Sequence, residues 1–132
     1  MAAARGIGEG IAKNGWILLT GGLGGVMEGA SKGAAEAEGL VVGILPGPTR
    51  QGANPYLGVA IVTNLGHARN VVLAHSSDAL VALGGGFGTL SEMAIARKLG
   101  KGVVGFESFA LEGVTPASSI EEVLGVLRAW LS

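Results

Sequence analysis

The chain has no cysteine, which excludes disulfide scaffolds, thiol nucleophiles, iron–sulfur clusters and cysteine-based zinc sites together. Charged residues make up only 14% and aromatic residues 5%, so this is not a charge-rich chain kept open by self-repulsion. Neither sign of charge predominates. Lysine plus arginine is 9, aspartate plus glutamate is 10, and the isoelectric point is near 6.1, so no basic field draws nucleic acid or an anionic membrane. Long apolar runs are missing too: glycine interrupts every one before the roughly 20 residues that span a bilayer, and no signal-peptide pattern opens the chain. The expectation is a cytoplasmic protein with no nucleic-acid or membrane partner.

What is present is apolar side chain and glycine. Hydrophobic residues reach 48% and mean hydropathy is +0.52, a composition for buried sheet, and 132 residues fit a single domain over 1–132. Glycine numbers 25, well above a usual share of ~7%, without the third-residue period of collagen. At that density it serves turns and close backbone approach.

The glycines cluster where short apolar runs end. Trp16 to Thr20, Leu40 to Leu45, Val59 to Thr63, Ala79 to Leu83 and Val103 to Phe106 are of strand length. They are continuous rather than alternating, the pattern of strands covered on both faces. Between them, Gly24 to Glu38, Leu65 to His75, Thr89 to Leu99 and Ile120 to Leu131 have helical composition, and Ala2 to Lys13 is another helix stopped by Asn14-Gly15. Alternation of strand and helix predicts an α/β fold, a Rossmann-like three-layer domain with a mostly parallel sheet. Such a domain normally begins on a strand, and here the opening strand is absent. The stretch from Pro46 to Gly58 reads as a long loop of the kind that lines sites.

In an open parallel sheet, ligands sit beyond the carboxyl ends of the strands. Two glycine loops are expected there. The stronger is Gly84-Gly85-Gly86-Phe87-Gly88-Thr89, which follows the run ending at Leu83 and leads into a helix. Bare main-chain N–H groups and a helix N-terminus make an anion site, with phosphate the expected occupant and Thr89 an added hydroxyl donor. Thr89-x-x-Glu92 is equally a capping box, so Glu92 carries two readings, cap or functional carboxylate. Ser118-x-x-Glu121 and Ser119-x-x-Glu122 repeat that spacing with no glycine loop before them. The second loop, Thr20-Gly21-Gly22-Leu23-Gly24-Gly25-Val26-Met27, follows Trp16 to Thr20 and reads either as a binding turn or as tight helix-to-strand packing.

Familiar nucleotide motifs fail. GxxxxGK[ST] is absent, neither glycine loop completes GxGxxG, and the run ending Leu45-Pro46 carries no acidic residue for a ribose diol, so a nicotinamide cofactor is not expected. Arg69, at the start of the helix after Val59 to Thr63, reads either as a bidentate clamp for phosphate or carboxylate or as a surface ion-pair residue. His67 reads as a ligand donor or a cap. Its distance from His75 does not suit a helical metal pair, and no metal is expected. Lys98 and Lys101 complement a helix dipole, and no GxSxG serine is present.

The words Gly21-Gly22-x-Gly24-Gly25-Val26-Met27-Glu28, Gly43-Ile44-Leu45-Pro46, Gly66-His67-Ala68-Arg69-Asn70 and Gly84-Gly85-Gly86-Phe87-Gly88-Thr89-Leu90-Ser91-Glu92, in this order, resemble the Lonely Guy superfamily. That group holds cytokinin-activating nucleoside 5'-monophosphate phosphoribohydrolases and, closer to this sequence, the molybdenum-cofactor carrier branch. The resemblance implies catalytic roles for Arg69 and Glu92. It implies phosphate binding by Gly84, Gly85, Gly86, Gly88 and Thr89, and contact with the rest of the ligand by Gly21, Gly22, Gly24, Met27, Pro46 and His67. Three departures from the hydrolase signature pull toward the carrier branch: Gly84 replaces its proline, Asn70 the lysine after the arginine, and Ser91 an acidic residue. The name lysine decarboxylase, once given to relatives, finds no pyridoxal site here.

Two functions follow from the resemblance. The first is cleavage of the N-glycosidic bond of a purine nucleoside 5'-monophosphate to base and ribose 5-phosphate, with Glu92 stabilising oxocarbenium character. The alternative is a non-catalytic carrier of molybdenum cofactor, in which Glu92 is a helix cap. Neither requires a cofactor for chemistry; a nucleotide or molybdenum cofactor is the bound ligand. Alanine- and glycine-rich helix surfaces, and the family's habit, imply a homo-oligomer, dimer or tetramer.

Overall fold

A computed structural model of the chain describes residues 2–131. It is a Rossmann-like α/β fold whose strand pairings are all parallel. The chain divides into two compact units, Met1–Arg69 and Asn70–Ser132, each with its own three-stranded sheet.

In the first unit, α1 (Ala2–Lys13) leads to β1 (Leu18–Thr20), α2 (Val26–Glu36), β2 (Val41–Leu45), β3 (Val59–Val62) and a 3-10 turn, Gly66–Ala68. The sheet order is β1-β2-β3, so β1 is a terminal strand and the described residues open on a helix, as the sequence predicts. Trp16 and Ile17 do not join β1: the Trp16 N–H is drawn back to the Ile11 carbonyl at the end of α1. The core is Ala4, Ile7 and Ile11 of α1, Ala30 and Ala34 of α2, and Val41, Ile44 and Leu45 of β2.

Glycine brings α1 and α2 together backbone to backbone. A methyl group on Gly8 would run into the Ala30 carbonyl, and one on Gly33 into the Arg5 carbonyl. The gain is dispersion contact along two apposed small-residue faces, with Arg5 and Glu36 paired at the rim at 2.7 Å. Gly8 and Gly33 thus serve a contact within the chain.

The second unit holds the rest of α3 (Arg69–Ser76), then β4 (Ala79–Leu83), α4 (Phe87–Lys98), β5 (Gly102–Phe106), β6 (Thr115–Ala117) and α5 (Ile120–Leu131), with sheet order β4-β5-β6. Its core gathers Ala82, Met93, Ala96 and Val103, flanked by Leu80, Leu111 and Val114. Burying Met93 completely is worth about 1.5–3 kcal/mol.

β6 has no counterpart in the sequence reading. It is three residues long with Pro116 at its centre, opposite Gly105 of β5. Proline cannot donate to a ladder, and a terminal strand is where it is tolerated.

Two polar caps also depart from expectation. Lys101 complements not the helix that precedes it but α3: its Nζ donates to the His75 and Ser77 carbonyls at 2.7 and 2.5 Å. At α5, the Glu122 N–H donates to Ser119 Oγ at 3.1 Å, as a capping box requires. The Glu122 carboxylate, however, reaches Ser118, accepting from its hydroxyl at 2.7 Å and its N–H at 3.1 Å. These bonds hold the Glu122 carboxyl below its ordinary pKa, the Ser118 hydroxyl contributing most.

Candidate functional site

The Gly84–Thr89 turn leaves the carboxyl end of β4 and enters α4 two residues earlier than the composition predicts. Phe87 is the first helical residue and Gly86 the N-cap, with extended backbone and no side-chain cap. Gly84 takes a left-handed φ of 70°, which redirects the chain out of the strand without the strain a side chain would bring. The first α-helical bond runs from the Leu90 N–H to the Gly86 carbonyl at 3.0 Å. The N–H groups of Phe87, Gly88 and Thr89 are thus left without an α-helical partner.

This turn is unobstructed within its unit. Methyl groups built on Gly84, Gly86 or Gly88 would meet nothing within 4 Å, and one on Gly85 would lie 3.7 Å from the Phe109 ring. The first turn of α4 also contains no acidic side chain. A helix N-terminus with bare amides and no carboxylate of its own favours an anion.

The early helix start decides one of the open readings. Thr89 is the third helical residue, not the N-cap, so Thr89 and Glu92 do not form a capping box. Glu92 lies within α4, half-buried.

The turn after β1 is built differently. The Thr20 hydroxyl accepts the Gly22 N–H at 2.8 Å, folding the chain sharply at the strand end. A methyl group at Gly21 would overlap the Arg69 guanidinium and the Met27 sulfur, and one at Gly22 would come within 2.5 Å of Leu45 Cδ2. Close packing accounts for both glycines. Gly24 and Gly25 are exposed, but Glu28 stands in the first turn of α2 with Oε1 folded toward Gly24. That carboxylate opposes an anion there.

Arg69 joins this cluster rather than standing at the surface. Its Nη1 donates to the Gly21 carbonyl at 2.5 Å and to the Ile44 carbonyl at 3.0 Å, clasping the ends of β1 and β2. The structure therefore brings Gly21, Met27 and Arg69 together. Pro46 lies beside the 3-10 turn, its carbonyl accepting the Gly66 N–H at 2.9 Å, and His67 on that turn is exposed. Among the described residues no group of three His, Asp or Glu side chains could hold a metal ion, and no helix is long and apolar enough to cross a membrane.

One residue escaped the sequence reading. Asn54 is 5% exposed. Its N–H donates to the Gly22 carbonyl at 2.8 Å and its Nδ2 to the Leu23 carbonyl at 3.0 Å and Ser31 Oγ at 3.3 Å. Its Oδ1 accepts the Tyr56 N–H at 3.0 Å. A buried amide used this fully fastens the long loop to the turn after β1. Asn54 lies in the Pro46 to Gly58 stretch, which the sequence marks as a loop without marking its anchor.

Comparison with known proteins gives these turns a context. The model of the SLOG cluster4 family matches residues 1–127. A protein of Archaeoglobus fulgidus described only as uncharacterized is 48% identical over 119 residues, 89% of this chain and 78% of that one. Among solved structures, the molybdenum cofactor binding protein of the phototrophic bacterium Rippkaea orientalis superposes with a TM-score of 0.93 at 41% identity, over 98% of this chain and 86% of that one. The molybdenum cofactor carrier protein of Chlamydomonas reinhardtii gives 0.88 at 38% identity, over 97% and 86%. The chain belongs to the SLOG cluster4 family, within the Lonely Guy superfamily and near its molybdenum-cofactor carrier branch.

Proposed function

We propose that this protein is a carrier that binds molybdenum cofactor through the phosphate of its pterin and protects it without transforming it. The observation that carries this reading is the 41% identity, at a TM-score of 0.93, to a molybdenum cofactor binding protein. The Gly84–Thr89 turn supplies the matching chemistry, since its bare amides suit a phosphate monoester. The replacements at Gly84, Asn70 and Ser91 point the same way. Hydrolysis, which the sequence reading placed first, gives way to carriage because the similar solved structures include a molybdenum cofactor binding protein and a molybdenum cofactor carrier protein. The test is retention: purified protein is mixed with cofactor freshly released from a molybdoenzyme and passed through a desalting column. Co-elution of molybdenum and pterin is expected, and pterin held no better than inorganic phosphate would contradict the reading.

A second reading keeps one supporting observation. Because Thr89 lies inside α4, the box that would have explained Glu92 as a cap is not formed. In a phosphoribohydrolase Glu92 would orient water or a sugar hydroxyl and stabilise the ribosyl cation as the base departs. Glu92→Gln would then abolish ribose 5-phosphate release while nucleotide binding persisted. Wild-type protein releasing none from any purine nucleoside monophosphate removes this reading.

A further inference from the structure

All three phenylalanines of this aromatic-poor chain stand at the carboxyl edge of β4 and β5. Phe87 is the first residue of α4, within the Gly84–Thr89 turn. Phe106 ends β5 opposite Leu83, and its carbonyl accepts the Gly84 N–H at 3.4 Å. Phe109 follows on the connection from β5 to β6, with Cζ and Cε2 of its ring 3.7 and 3.8 Å from a methyl group built on Gly85. Aromatic side chains gathered at a phosphate-binding turn suit a phosphate ester that carries a planar ring.

Phe109 is held in place by its own unit. Glu107 turns the chain out of β5 with a left-handed φ of 52°, a conformation that residues with side chains rarely take. The Ser108 hydroxyl donates to the Met93 sulfur at 3.6 Å, and the Val114 N–H donates to the Leu111 carbonyl at 3.1 Å. Arg97 Nη1 donates to the Lys101 carbonyl at 2.8 Å, and a methyl group at Gly113 would come within 2.7 Å of Arg97 Nε. Met93 and Arg97 both belong to α4. The helix that presents the bare amides therefore also fastens the loop that carries Phe109. Leu111 and Val114 are the loop side chains packed against the core, while Phe109 stays 36% exposed.

We propose that Phe109 is a specificity-determining residue, whose ring stacks on the planar pterin of the ligand held by its phosphate at the Gly84–Thr89 turn. The inference rests on the carrier reading. A phenyl face already fixed beside the turn gives up little freedom when a heterocycle stacks on it. Phe87, 90% exposed, has no such support and would have to be ordered by the ligand. Covering the core explains Leu111 and Val114; it does not explain an aromatic ring kept partly open against Gly85.

Equilibrium binding is measured for wild type, Phe109→Ala and Phe109→Tyr with freshly released molybdenum cofactor, adenosine 5'-monophosphate and inorganic phosphate. Phe109→Ala is expected to bind the cofactor about tenfold more weakly, the scale of one lost ring stack, and Phe109→Tyr within about twofold of wild type because the ring face is kept. Inorganic phosphate has no ring and should bind all three proteins alike. Phosphate weakened by Phe109→Ala as much as the cofactor would make Phe109 a support of the turn and overturn the assignment. Wild-type cofactor affinity in Phe109→Ala also overturns it and leaves carriage standing. A loss confined to the adenylate overturns the pterin as the ring that Phe109 takes. Wild-type protein that binds no cofactor overturns carriage and this inference with it.

Discussion

Gly88 and Arg69 show how differently two residues with similar sequence credentials are used. Gly88 occupies the first turn of α4 with open space where a methyl group would stand. Gly88→Ala should leave the fold unchanged or stabilise it by up to about 1 kcal/mol, because alanine favours helix over glycine. It should also weaken phosphate binding by about tenfold, since the methyl group keeps the ligand from the amides. Chemical denaturation and titration with inorganic phosphate read the two effects separately; lost stability with unchanged binding would mean that Gly88 is structural. Arg69 was read as a ligand clamp or a surface ion-pair residue, and the structure adds a use that neither reading held. With two carbonyls depending on its Nη1, Arg69→Met should cost about 2 kcal/mol or more of stability in urea unfolding, and a cost near zero would contradict the clasp. Residue type and position pointed to Arg69. Partners far away in sequence, at Gly21 and Ile44, could not be read from a local word.

At the scale of elements, the helices and the interior strands were legible because hydrophobic runs and glycine stops agreed. α1 and α5 begin and end where the composition places them. β6 was not legible: three residues around a proline carry no hydrophobic signal, and only pairing with β5 makes them a strand. The start of α4 was misread by two residues because a run of glycines conceals which of them is the cap; that small shift decides whether Thr89 caps a helix or lines its first turn. The α1–α2 contact was invisible for another reason, since glycine in a helix reads as a weakness until a facing backbone is known. Gly33→Ala should destabilise the protein by about 1–3 kcal/mol through overpacking against the Arg5 carbonyl, and an unchanged melting temperature would show that the helices can separate at little cost. At α5 the lowered Glu122 pKa fixes a sign. Its contribution to stability is present above the ordinary glutamate range and is lost as pH falls through the lowered value. Ser118→Ala should move the Glu122 midpoint upward in a carboxyl NMR titration, with little change in global stability because the pair is exposed and screened by water; an unmoved midpoint would exclude the Ser118 hydroxyl as the main cause.

For the whole molecule, four short words in register, two of them glycine-rich, were enough to place the chain in its superfamily, and the family model and solved structures agree with that placement. The words alone put hydrolysis ahead of carriage, and the similar solved structures reverse that order, because both functions use the same phosphate-binding turn and differ in what a single carboxylate does. The account rests on bare amides at the start of α4 taking a phosphate. Titrating isotope-labelled protein with the phosphate-bearing cofactor and following its backbone amides by NMR tests this most directly. The N–H signals of Gly85, Gly86, Phe87, Gly88 and Thr89 should shift together and saturate at one affinity. If those five stay fixed while amides elsewhere move, the phosphate binds somewhere else and the account is wrong.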